Sequence, residues 1–193
     1  KDKKTPLHEA MTYHRDQIAR LLVEKGANVN LKDKEGKTPL FSIVFMDGKE
    51  RNLALTRLFI DKGYKLKSPD ADLLNQTIRR GHQETALLLL QRGITFSDGA
   101  LANAALMGFE DIFNFLLQKG VSPKQAHILS YASRSGNLNI VRTLTEKGNT
   151  PTLQDVDQAL ALGHIEVAHY LNCHLKQTQG LHVDLKEKCR IKP

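Results

Sequence analysis

Short apolar segments of helical length alternate with glycine-marked turns along most of the chain. Four such segments each follow a glycine by a few residues: Thr85–Leu90, Ile112–Leu117, Ile140–Leu144 and Ile165–Leu171. The glycines before them are spaced by 27, 28 and 27 residues: Gly81, Gly108, Gly136 and Gly163. A second series has spacings of 27 and 28 residues: Gly93, Gly120 and Gly148. A fixed spacing of this size predicts a repeat protein in which each repeat contributes paired helices.

The N-terminal region repeats a longer unit. Thr5-Pro6-Leu7-His8 and Thr38-Pro39-Leu40-Phe41 open two segments that begin 33 residues apart. Threonine can cap a helix by accepting from a backbone N–H, and proline fits the first helical turn, where no N–H is needed. A second helix starts near Ile18 and ends at Gly26, because glycine suits the left-handed conformation of a helix end. The unit is therefore a turn, a helix, a turn and a helix, with the first turn forming the Asp33–Lys37 finger.

These openings resemble the T-P-L-H signature of the ankyrin repeat family, which is complete at Thr5–His8 and partial at Thr38–Phe41. The resemblance implies an all-α ankyrin-repeat solenoid of about six helix-turn-helix repeats, each contacting its neighbours. The predicted repeats are about 1–31, 32–66, 67–94, 95–121, 122–149 and 150–174. The array would then span 1–175, and 176–193 would form a C-terminal tail or a linker to a further domain.

The C-terminal repeats are predicted to have shortened β-hairpin fingers. They are five or six residues shorter than the first unit although their helices keep their length, so the loss must fall in the fingers. The predicted short connectors are Tyr64–Asp70, Ile94–Gly99, Val121–Gln125 and Asn149–Gln154. The second repeat has four extra residues within Met46–Asn52, which we expect to protrude between its helices. His14 stands where the family has glycine, which predicts an unusual turn.

Composition and charge narrow the class of protein without identifying a partner. The chain has 40% apolar and 25% charged residues, as soluble proteins do, and no apolar run approaches the ~20 residues of a membrane span. The net charge of +7 favours acidic partners by steering, although scattered lysines also keep a repeat array in solution. Cys173 and Cys189 are too few for a disulfide framework, which favours an intracellular, reducing compartment such as the cytoplasm or nucleus.

The sequence contains no convincing catalytic, cofactor or metal constellation, so we expect neither enzyme activity nor a cofactor. Cys173 and His174 are neighbours on a predicted helix and point in different directions, so they do not pair as nucleophile and base. Gly36-Lys37-Thr38 matches only the end of a phosphate-binding loop. The candidate zinc ligands are His169, Cys173, His182 and Cys189. A structural zinc site needs four ligands close together, and the last two would have to fold back from the tail, so no zinc site is predicted.

The resemblance places partner binding on the concave face, which finger tips and the ends of the first helices line. Transferred repeat by repeat, these positions are Thr12, Tyr13, Phe45, Met46, Arg79, Arg80, Leu106, Met107, Arg134, Ser135, Ala161 and Leu162. The first finger adds Lys34 and Glu35. Because interfaces are enriched in aromatic residues, Met and Arg, we expect a protein partner that carries acidic and apolar side chains. The family's role for His8 is structural, tying neighbouring repeats, and His82 and His164 are expected to be structural too.

Other functions stay open at this stage. Lys1 is not Met and the first repeat starts almost at its helix, so we expect a segment of a longer protein. The repeats could then present a substrate to a catalytic domain elsewhere in that protein. Binding of nucleic acid fits the basic charge but lacks a recognised signature and is not favoured. Degenerate, shortened repeats are also similar to those in effectors that intracellular bacteria deliver into host cells. We expect a monomer.

Overall fold

The fold is built from paired helices. The computed structural model describes residues 2–66 and 72–178, without the side chains of residues 177 and 178. Within these ranges every regular element is a helix and no strand is present. The chain divides into two compact units, residues 1–97 and residues 98–193. Each unit is a stack of helix pairs, as the sequence predicted for an all-α repeat protein.

The first unit contains three helix pairs. Their bounds are α1 Pro6–Thr12 with α2 Asp16–Glu24, a 3-10 helix Pro39–Phe45 with α3 Lys49–Asp61, and α4 Leu73–Arg79 with α5 Gln83–Gln91. The 3-10 helix packs between α1 and α4, while α3 packs between α2 and α5. First helices therefore pack on first helices and second helices on second helices. The core between them is apolar and fully buried, with Leu7, Met11, Ile43, Leu55 and Phe59 among its largest side chains.

The second unit repeats this arrangement. Its helix pairs are α6 Gly99–Met107 with α7 Glu110–Gln118, α8 Ile128–Ser135 with α9 Leu138–Glu146, and α10 Leu153–Ala161 with α11 Ile165–Thr178. The first helix α8 packs between α6 and α10, and α9 contacts both α7 and α11. Buried Leu101, Phe113, Ile140 and Leu171 lie in its core. The helix α11 continues past residue 175, where the predicted array ended, and residues 179–193 lie outside the described part of the chain.

The turns between paired helices have the left-handed backbone that the glycine series predicted. Gly81, Gly108, Gly136 and Gly163 have φ values between +69° and +83°. His14 occupies the same turn in the first repeat with φ +55°, so the turn keeps the left-handed backbone of the other repeats, and only the residue that adopts it is unusual. A residue with a Cβ is strained in this conformation by roughly 1–2 kcal/mol.

The second repeat differs from its prediction in two ways. Its first helix is a 3-10 helix, and Thr38 makes no side-chain cap; its hydroxyl lies 3.1 Å from the Tyr64 hydroxyl. The four extra residues were expected to protrude between the helices, which is wrong: they lengthen α3, which begins at Lys49 and has 13 residues against nine in α2, and the turn before it is no longer than in the first repeat. The Asn52 side chain donates to the Met46 carbonyl at 2.9 Å, which holds the start of this longer helix against the core.

The connectors differ between the first finger and the later repeats. In the finger, Asp33 N–H donates to the Lys37 carbonyl at 2.9 Å, and the Asp33 carboxylate accepts from the N–H groups of Glu35 and Lys37. In the later repeats helices begin inside the predicted connectors, at Gly99 and at Leu153. Residues 67–70 of the connector predicted at 64–70 lie outside the described ranges.

Candidate functional site

Most of the predicted contact residues of the first unit lie on the surface. Tyr13 and Phe45 are 67% and 53% exposed, and Thr12, Arg79 and Arg80 are also exposed. Met46 is the exception, with only 1% of its surface exposed. Its backbone is extended rather than helical, at φ −94° and ψ 137°, and its side chain lies in the core. Met46 is therefore removed from the candidate surface.

Two cations and two aromatic rings form a continuous row that we name the cation–aromatic cluster: Lys37, Phe41, Phe45 and Arg80. Lys37 Nζ lies 5.1 Å from the centre of the Phe41 ring. The Phe41 and Phe45 ring centres are 6.3 Å apart with planes inclined by 58°. The Arg80 guanidinium lies 4.9 Å from the centre of the Phe45 ring, within cation–π distance. The cluster thus joins the finger and the first helices of two successive repeats.

A cavity of about 180 Å³ lies against the cluster. Its walls include three residues that the sequence predicted, namely Thr12, Glu35 and Phe45. The prediction did not include the other wall residues, among them Phe41 and Ser42. Phe41 fills the position that histidine occupies in the first repeat's Thr-Pro-Leu-His opening, and this departure from the motif was the signal that could have revealed it.

The charges of the finger are compensated within the unit. Lys34 pairs with Asp2, and Lys37 Nζ lies 2.8 Å from Glu35 Oε2. The hydrogen bonds to these carboxylates raise the pKa of Lys34 and of Lys37, and the bond from Lys34 lowers the pKa of Asp2. The predicted contact residues Lys34 and Glu35 are therefore both engaged in ion pairs.

Arg79 and Arg80 are different from the finger lysines. Within the described residues neither arginine forms an ion pair, and both side chains are exposed. The Arg80 charge beside the exposed Phe45 ring and the exposed Arg79 charge at the end of α4 are therefore left for a partner to neutralise.

The structural role predicted for the histidines is confirmed. Thr5 N–H donates to His8 Nδ1 at 3.1 Å, so His8 Nε2 carries the proton that it donates to the Lys37 carbonyl at 3.1 Å. His82 Nε2 lies 3.3 Å from the Val44 carbonyl, and His164 Nε2 lies 3.1 Å from the Arg134 carbonyl. Each histidine thus reaches the backbone of an adjacent repeat.

The predicted positions of the second unit are less accessible. Leu106, Met107 and Ser135 are half-buried, whereas Arg134, Ala161 and Leu162 are exposed. The Ser135 hydroxyl donates to the Ala132 carbonyl at 2.8 Å and lies 3.3 Å from Asn137 N–H, so it already serves the turn after α8. The predicted row of contact residues is consequently more continuous in the first unit.

The region around His169 and Cys173 gives no support for a metal site. His169 Nε2 and Cys173 Sγ are 3.8 Å apart, and the described residues contain no group of three potential metal ligands. The other two candidates, His182 and Cys189, lie outside these ranges. The intracellular compartment stays a prediction. In residues 2–66 and 72–178 no helix is both long and apolar enough to span a bilayer.

Stacked helix pairs joined by short turns and a finger define a helical-repeat protein with a surface for another molecule. The chain belongs to the ankyrin repeat family. Residues 2–34 match the family model for a single ankyrin repeat, and residues 74–155 match the model for three consecutive ankyrin repeats. Together these matches cover more than half of the chain. Ankyrin repeats are in general protein-interaction modules.

Individual relatives share short stretches with the chain. It is 43% identical over 37 residues to ankyrin repeat-containing protein P1E11.10 of Schizosaccharomyces pombe, covering 19% of this chain and 18% of that protein. It is 28% identical over 90 residues to ankyrin repeat protein OPG189 of vaccinia virus, covering 47% of this chain and 15% of that protein. Human neurogenic locus notch homolog protein 4 is 48% identical over 46 residues, or 24% of this chain and 2% of that protein.

The matched region therefore spans less than a fifth of each relative's length. Among solved structures, the ankyrin repeat domain of human ASB11 superimposes with a TM-score of 0.59 at 19% identity, covering 95% of this chain and 86% of that one. At this identity the likeness concerns the fold.

Proposed function

We propose that the chain binds a partner protein through the cation–aromatic cluster and its adjoining cavity in the first unit. The observation that carries this proposal is the exposed Phe45 ring, which bears the Arg80 guanidinium at 4.9 Å. Aromatic rings and arginines supply much of the energy of protein interfaces, because a stacked arginine is preorganised and the ring adds apolar area.

The partner that fits this surface carries acidic side chains next to an apolar anchor. The finger residues Lys34 and Lys37 are already paired with carboxylates, so Arg79 and Arg80 supply the positive charge that a partner's carboxylate would neutralise. Thr12, Phe41 and Phe45 line the cavity, which suits one apolar or aromatic side chain. A nucleic acid would instead require a broad field of free cations along a backbone.

A selection experiment tests this proposal while the partner is still unidentified. A displayed library of random peptides is selected against the full chain, and the recovered peptides are retested on Phe45→Ala and Arg80→Glu variants. We expect recovered sequences that combine Asp or Glu with an aromatic or large aliphatic residue and that lose binding to both variants. Peptides without an acidic bias, or peptides that bind both variants as well as the parent, would rule the proposal out.

Three finer predictions remain proposals. We propose that the repeats act within a larger protein, either as a recruiting module or as the substrate-presenting part of an enzyme. We propose an intracellular location. The relatives come from a yeast, a poxvirus and human, so the likeness to bacterial effectors stays a prediction as well.

A further inference from the structure

A second surface, independent of the cation–aromatic cluster, lies in the second unit. Two successive connectors, residues 121–127 before α8 and residues 148–152 before α10, border a groove of about 560 Å³. Polar side chains line it, including Lys124, Gln125, His127, Asn149 and Thr150. This is the region where the sequence predicted shortened fingers.

The main chains of these two connectors are not paired with each other. In the first unit, consecutive connectors are joined by Lys34 N–H donating to the Asp2 carbonyl at 3.2 Å and Thr95 N–H donating to the Leu66 carbonyl at 3.4 Å. Over residues 98–178 no main-chain hydrogen bond joins 121–127 to 148–152.

The local sequence explains why this space is open. Each connector contains a proline, Pro123 and Pro151, and proline has no N–H to donate to a neighbouring strand. His127 at the end of the first connector has φ +61°, so the backbone turns away there from an extended path. Within the described residues the N–H groups of Gln125, Ala126, His127 and Thr150 have no hydrogen-bond acceptor in the protein.

We propose that this groove binds an extended polypeptide segment of a partner protein, which lies between the two connectors and pairs with them through main-chain hydrogen bonds. Unpaired main-chain groups at the border of a groove are the feature that strand addition uses. Lys124 and His127 line the groove, and within the described residues neither forms an ion pair, so acidic side chains on the segment are favoured. This site would add a sequence-tolerant contact to the side-chain recognition in the first unit.

The proposal is tested by NMR on the isotope-labelled full chain with a short blocked peptide of alternating valine and glutamate. At millimolar peptide we expect shifts and slower hydrogen exchange at the amides of Ala126, His127 and Thr150. The same peptide with alternate nitrogens methylated should bind at least about tenfold more weakly, because two or more main-chain hydrogen bonds are lost. Unchanged amides, or equal binding of the methylated peptide, would overturn it.

A pair of variants separates this groove from other surfaces. Thr150→Trp fills the groove with a bulky side chain at an exposed position, whereas Glu146→Trp adds a tryptophan at the exposed end of α9, outside the groove. Circular dichroism shows whether each variant is folded. We expect Thr150→Trp to abolish peptide binding and Glu146→Trp to retain it. Retained binding in a folded Thr150→Trp variant would show that the segment does not lie in the groove.

Discussion

Single turn residues control how closely successive repeats can pack. Gly136 and Gly163 occupy equivalent turns and have similar φ values of +74° and +78°. Their surroundings differ, because a methyl group on Gly136 would lie 2.5 Å from His164 Nδ1, whereas nothing lies within 4 Å of one on Gly163. The His164 ring that ties two repeats through the Arg134 carbonyl therefore also fills the space above Gly136.

This difference predicts unequal effects for the same substitution at the two glycines. Gly163→Ala should lower the free energy of unfolding by roughly 1–2 kcal/mol, from backbone strain alone. Gly136→Ala should cost a further 1–3 kcal/mol or so, because His164 must move and lose its bond to the neighbouring repeat. Urea unfolding of both variants measures the two losses in the free energy of unfolding. Equal losses would show that the contact between Gly136 and His164 carries no energy.

His14 provides the opposite case, since it is strained where its counterparts are glycine. Replacing it by glycine should raise the free energy of unfolding by about 0.5–1 kcal/mol, the relief of strain less the entropy that glycine loses. Arg15→Gly is the control, because Arg15 has a φ of −90° and gains no such relief. Thermal unfolding compares them. A His14→Gly variant that unfolds at a lower temperature than the parent would contradict the strain argument.

At the scale of the helix, Asn137 links the start of α9 to the preceding repeat. Its Oδ1 accepts from Ile140 N–H at 3.1 Å as a helix cap, and its Nδ2 donates to the Gly108 carbonyl at 3.1 Å. His82 and His164 hold the same position after the inter-helix glycine in other repeats and make the same backward bond. Asparagine thus combines the tether with a cap, for which its side-chain oxygen is well suited.

Asn137→Ala should therefore lower the free energy of unfolding by about 2 kcal/mol, about one for the cap and one for the tether. The control is Asn139→Ala, near the start of α9, which removes an exposed hydrogen bond to Glu110 of α7. It should change the free energy of unfolding by less than about 0.5 kcal/mol. Chemical denaturation of the two variants makes the comparison. The expectation fails if the two substitutions have the same effect.

The helix pairs were predictable from the sequence because glycine turns and apolar segments are local signals. In the second repeat, local sequence signals did not predict the helix type or the partner of the capping threonine. Its Thr-Pro-Leu opening equals that of the first repeat, but Phe41 replaces the histidine that bonds Thr5 in α1. The Thr38 hydroxyl instead meets Tyr64, 26 residues away, and the following helix is 3-10.

The candidate site was predictable to a similar extent. The helix-end positions identified Phe45 and Arg80 separately, yet their stacking joins residues 35 positions apart and depends on how the repeats pack. Met46 was misplaced because the pattern assumed helical backbone, where the chain is extended. Contacts such as the one between Phe45 and Arg80 depend on tertiary structure and cannot be predicted from sequence spacing.

For the molecule as a whole, the net charge of +7 is less informative than its distribution. Lys34 and Lys37 of the finger are paired, whereas within the described residues Arg79 and Arg80 form no ion pair, so attraction to an acidic partner should depend on these two arginines. Binding of an acidic peptide recovered in the selection should weaken as salt rises towards the range where the screening length is about 10 Å or less. The double variant Arg79→Ala/Arg80→Ala should lose most of this salt dependence. A salt dependence unchanged in that variant would locate the attraction elsewhere.

The most direct measurement is calorimetric titration of such a peptide into the full chain and into two charge-reversed variants. Arg80→Glu alters the arginine stacked on Phe45, whereas Arg57→Glu makes the same charge change at an exposed position of α3 in the same unit. We predict an affinity loss of more than about tenfold for Arg80→Glu, from a broken charge contact at a central position, and a change within about threefold for Arg57→Glu. Equal affinities for both variants would contradict binding at the cation–aromatic cluster.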